Sequence, residues 1–161
     1  MRRILALAAL VLGIGAVLAF TVTAASAGGN GAQTFTQTFK NQTDPPFVDF
    51  VPCRDFQATI TLTYNGVLHF TVNKAGDFWA TGTMTGTVTA VPLDPSNPSF
   101  TGRFTTWFGE SDNKQNFVDH STFTLHLTGS DGSTIKAHET VHLSSSASGG
   151  VTVGFDKFRC G

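Results

Sequence analysis

From residue 33 to residue 160 the chain alternates side chains with a period of two, and this constrains its fold more than anything else in the sequence. The stretch Phe56-Gln57-Ala58-Thr59-Ile60-Thr61-Leu62-Thr63-Tyr64 shows the pattern, with Gln57, Thr59, Thr61 and Thr63 on alternate positions. Successive side chains of an extended chain point to opposite faces, so such a run buries one face and wets the other. β-Branched and aromatic residues fit a pleated, half-buried surface. Threonine is abundant here, and the 15 phenylalanines dominate the aromatics. No helical period interrupts the pattern.

The breakers divide this run into seven or eight strands. Thr34 to Asn41 is a first strand, ended by Asp44-Pro45-Pro46, and Phe47 to Val51 is a short extended piece. Asn-Gly between alternating apolar runs is a strong hairpin signal, so Asn65-Gly66 predicts a turn between strands 55–64 and 67–73. Further strands are read at 77–91, 99–110, 116–128, 133–144 and 151–160. Neighbours joined by short loops usually pair, and a long meander hides its edges by closing. The fold class expected is all-β: a single antiparallel up-and-down β-barrel of about 7–8 strands, with a two-sheet β-sandwich as the alternative.

Residues 1–27 read as a secretory signal peptide. Arg2 and Arg3 precede the uncharged apolar run from Ile4 to Phe20, and Ala25-Ser26-Ala27 offers small residues for cleavage. Residues 28–161 then form a single domain, with a flexible leader at 28–33, exported to the extracellular space. Without the first two arginines, 8 basic and 11 acidic residues remain, a net charge of about −3 before histidine. The absence of a basic run in sequence argues against nucleic acid as a partner and against anionic membrane surfaces. No membrane insertion is expected after cleavage. Cys53 and Cys160 are the two cysteines. In an exported chain they predict a disulfide, closing a loop of more than 100 residues.

His138-Glu139-Thr140-Val141-His142 spells the H-E-x-x-H signature of zinc proteases. That motif works on a helix, where residues four apart share a face. Here Ile135, Ala137, Val141 and Leu143 alternate with Lys136, His138, Thr140 and His142, which is strand spacing. Four residues of strand span about 13 Å, too far for two ligands held at about 2 Å from one zinc ion. The match is read as chance. No metal site, cofactor or catalytic residue is assigned.

The apolar faces carry the candidate site. Asp119 and Ser121 interrupt a stripe of Phe117, Phe123, Leu125 and Leu127, and Glu139 interrupts that of Ile135, Ala137, Val141 and Leu143. One register of the last strand sets Lys157 opposite Glu139. Buried charge is costly unless paired. Asp119, Ser121, Glu139 and Lys157 are therefore the candidate ligand-binding residues, read as the polar floor of a cavity or as a buried ion pair. Small inward residues from Ala80 to Ala90 either leave space or accept bulky neighbours such as Phe100, Phe104 and Phe108.

The function expected is a secreted barrel that binds a small, mostly apolar ligand inside. The alternatives are a binding or inhibitor module acting through its outer face, where Trp79, Arg103 and Trp107 lie, and a barrel isomerase or cyclase using Asp119 or Glu139 as acid or base.

Overall fold

The computed structural model describes residues 31–161. The expected signal peptide lies outside the described residues. Eight strands follow in chain order: β1 (Gln33–Thr43), β2 (Phe47–Phe50), β3 (Gln57–Val72), β4 (Phe78–Pro92), β5 (Phe100–Asp112), β6 (Asn116–Gly129), β7 (Thr134–Ser146) and β8 (Val151–Cys160). No helix occurs among the described residues. All strand pairs are antiparallel and belong to one sheet of order β1-β3-β4-β5-β6-β7-β8, with β2 also on β3. A single sheet excludes the two-sheet sandwich.

β1 and β2 lie end to end along the same side of β3. β1 pairs Thr63 to Val72, and β2 pairs Gln57 to Ile60. Together they are one edge strand broken at Asp44-Pro45-Pro46, where two consecutive prolines supply no N–H to the ladder. The Asp44 N–H still reaches the Leu62 carbonyl at 3.3 Å, and the Tyr64 hydroxyl donates to Asp44 Oδ1 at 3.2 Å.

The hairpin expected at Asn65-Gly66 is not formed. β3 runs straight through, with Asn65 opposite Thr85 and Gly66 opposite Met84. These residues serve a bulge in β1 instead. Between Phe39↔Gly66 and Gln42↔Tyr64 the edge strand has one extra residue. Asn41 adopts φ 50° there, and its N–H donates to Asn65 Oδ1 at 3.0 Å. A Cβ on Gly66 would sit 2.7 Å from Met84 Cγ, so glycine fills this position because neighbours crowd it.

Pairing alone leaves the sheet open, because β1 and β8 stand at its two ends. The disulfide nevertheless joins those ends. Cys53 follows β2, Cys160 closes β8, and their Cα atoms are 5.9 Å apart. Seven strands laid flat would separate the edges by roughly 29 Å. The sheet must therefore bend back on itself at this end. The bend follows the natural twist of strands and turns one face inward.

The inner face is densely packed at the disulfide end. Val51, Ala58, Ile60, Val88, Ala90, Phe100, Leu125, Leu127, Ile135 and Ala137 are buried there. The small residues of β4 accept rings from β5: Phe108 lies over Gly82 and Phe104 against Gly86. The space they leave is therefore filled. Towards the opposite end, Phe70, Val72, Phe78, Phe117 and Asp119 on the same face are only half-buried. The two ends will be called the clasp end and the mouth. The outer face is mostly exposed and rich in threonine.

Candidate functional site

The register of each pair fixes what shares a face. Glu139 on β7 lies between Phe123 on β6 and Phe158 on β8. The same row continues through Thr106 on β5 and Met84 on β4. Glu139 is 4 % exposed, and its Oε1 has no hydrogen-bond partner. Thr106, the other buried polar residue of the row, is satisfied: its hydroxyl donates to the Thr122 carbonyl at 3.1 Å.

Burial pushes the Glu139 carboxyl up to about 7, with the charge of Asp156 and a hydrogen bond shared with it adding to the effect. Near neutral pH such a group holds a proton about half the time. It can then donate or accept one.

Above Glu139, towards the mouth, more carboxylates share the inner face. Asp156 pairs with Val141, which pairs with Ser121. One row further, Glu110 is opposite Asp119, and Asp119 is opposite Leu143. Glu110 is raised, first by desolvation and then by the charges of Asp119 and Asp112. Asp119 is raised by desolvation, against the opposing pull of His120 and His142. Asp119, Ser121 and Glu139 thus occupy one inner face, with Asp119 and Glu139 two rows apart.

Lys157 does not join them. It pairs with Thr140 on the outer face, and Phe158 takes the position opposite Glu139. The expected Glu139–Lys157 juxtaposition is therefore corrected by a one-residue difference in register, which moves every side chain of a strand to the other face. Lys157 Nζ instead stands 5.0 Å from the centre of the Phe155 ring.

Glu110, Asp112 and Asp156 complete the acidic surface and were not singled out from the sequence. Glu110 and Asp112 share parity with Phe104 and Phe108, so their signal was present in β5 itself. Asp156 had none. By parity Val151, Val153 and Phe155 make the other face of β8 the more apolar in sequence, so the strand's own pattern points away from Asp156, and only pairing with β7 turns Asp156 and Phe158 inward.

The His138-Glu139-Thr140-Val141-His142 segment is strand, within β7. His138 and His142 face outward and Glu139 inward. His142 is opposite His120, with ring centres 6.3 Å apart. Phe155, opposite His142, lies 5.6 Å from it, and Trp107, diagonal to His120 on β5, lies 4.6 Å from His120. Trp79 and Arg103 are also exposed on the outer face. Among the described residues, no three His, Cys, Asp or Glu side chains converge as a metal set would. No described helix is long and apolar enough to cross a membrane. Comparison with protein-family models, with curated proteins and with solved structures finds no match.

Proposed function

We propose that this is a secreted protein whose curled sheet works as an open-sided barrel, binding one small, mostly apolar ligand in the mouth half of its inner face. The observation that carries the reading is Glu139 Oε1. It is a buried oxygen with no partner, set in a row of Phe123, Phe158 and Met84. A buried polar atom left unsatisfied costs about 1–3 kcal/mol, and a ligand bearing a donor group removes that cost on binding. The half-buried apolar residues above it supply walls, whereas the inner face of the clasp end is closely packed. The disulfide suits maturation in an oxidising compartment.

The test is titration with a neutral, polarity-sensitive naphthylamine dye. Saturable binding at one site is expected. Ser121→Trp, which places a large ring on the inner face beside Phe108 and Val141, should abolish it while leaving the β-sheet circular dichroism unchanged. Binding indifferent to this substitution, or no binding by the parent protein, would overturn the reading.

A second reading rests on the outer face, where Trp107, His120, His142 and Phe155 stand ring beside ring, tilted except for the stacked His142–Phe155 pair, and offer an aromatic surface to a sugar or a protein. Retention on an immobilised polysaccharide that is lost on Trp107→Ala would favour it.

A further inference from the structure

The charges of the strands are sorted by face. The strand-borne carboxylates Asp49, Glu110, Asp112, Asp119, Glu139 and Asp156 all take inner-face positions in the pairing register. Arg103, Lys136, Lys157, Arg159 and the five histidines all take outer-face positions. No lysine, arginine or histidine of β3–β8 faces inward. Arg54 lies over the Phe100 ring at the clasp end, and Lys114 holds the Ala75 carbonyl at the rim of the mouth. A near-neutral sum therefore hides an acidic lining and a basic exterior.

An acidic lining alone is an ordinary solvated surface. Glu139 adds an independent observation, because its Oε1 is buried, unpartnered and turned into this lining. From these two facts together we infer that the ligand of the inner face is a hydrophobic organic cation, an alkyl or aryl ammonium, whose nitrogen meets Glu139 while its apolar part lies along the half-buried residues of the mouth. The inference rests on the interior-binding reading and specifies its ligand class.

A charge-assisted N⁺–H···O⁻ bond is about twice as strong as a neutral one, and Oε1 has capacity for it. The Phe123 and Phe158 rings flank Glu139, and aromatic faces attract cations. An anionic ligand such as a fatty acid would be set against Asp156, Asp119 and Glu110, with no lysine, arginine or histidine of β3–β8 on that face, and like-charge juxtaposition disfavours it.

The proton competes with such a ligand. The titratable groups facing Glu139 are Asp156 on β8 and, further up the same face, Asp119 on β6 and Glu110 on β5. All are carboxyls, so acidification only removes negative charge. Affinity for a permanent cation should therefore rise with pH through about 7, where Glu139 loses its proton.

The experiment compares octylammonium, octanol and octanoate, which share one chain, by displacement of the naphthylamine dye at pH 5 and pH 8. Octylammonium should bind about tenfold tighter than octanol at pH 8 and nearly equal it at pH 5. Octanoate should bind weakest. Glu139→Gln should erase the preference for the cation while octanol still binds, and Asp156→Asn should reduce it. If octanol or octanoate binds the parent protein at pH 8 as tightly as octylammonium does, the cation inference falls while interior binding stands. If none of the three displaces the dye, both fall.

Discussion

The clasp end and the mouth are built from the same strands, yet they spend their inner faces differently. At the clasp end, Phe100, Leu125, Ile135 and Val51 are fully buried and the two sheet edges are covalently joined. At the mouth the edges β1 and β8 have no bond between them, and the inner face carries half-buried carboxyls. Glu139 sits at the boundary, buried as the clasp end is and charged as the mouth is. Close packing and half-buried charge are thus separated along the strands. One half holds the sheet bent, and the other half tolerates groups that a core would reject.

Cys160→Ser should cost the most. The chain-entropy model gives about 4–5 kcal/mol for a loop of this length, across a sequence separation of 107. Urea unfolding of the variant against the parent measures it, and a loss below about 1 kcal/mol would mean that the packed end holds its bend without the bond. Leu125→Ala, in the packed half, should cost about 2–5 kcal/mol. Phe70→Ala, at the mouth against Phe78, should cost only about 1–2 kcal/mol, because its ring is already half wet. Equal losses at these two sites would erase the distinction between the halves.

The pH dependence tests the boundary. Glu139 ionises near 4.5 when unconstrained and at about 7 in the folded chain. Between those values the folded state keeps a proton that the unfolded state has released. Its contribution is thus fully present below about 4.5 and is lost as pH rises to about 7, a difference of about 3 kcal/mol. Glu110 and Asp119 are raised as well and act in the same direction. Unfolding at pH 4, 6 and 8 should show falling stability, and Glu139→Gln should flatten most of the slope and be the more stable protein at pH 8. A ligand-free parent whose stability rises over this range would contradict the burial of Glu139.

The smallest effect concerns Lys157. With its side chain on the outer face, Lys157→Met should change stability by less than about 0.5 kcal/mol and add independently to Glu139→Gln. Coupling between them would restore the pairing that the register denies.

Most of the sheet was legible in the sequence because alternation is local. The bounds of β8 coincide with those expected, and β4, β6 and β7 differ by one or two residues at their ends. The inward positions of Asp119, Ser121 and Glu139 follow from their own strands in the same way. What was not legible depends on partners. Asn65-Gly66 has the chemistry of a turn, but the bulge at Asn41 and the close approach of Met84 use it in an extended strand. The side taken by Lys157 and Asp156 is decided by register against β7, which β8 does not encode in its own pattern. The sorting of charge by face was hidden for the same reason, since a net charge sums over both faces.

The position of the two cysteines also sets an order of events. Every strand from β3 to β8 lies between Cys53 and Cys160. A ribosome delivers Cys53 first, so its thiol stays single until the last of those strands has arrived. A copy broken off anywhere in that span carries an unanswered thiol, and a finished one does not. The bond can therefore form only after every strand between the two cysteines has been made.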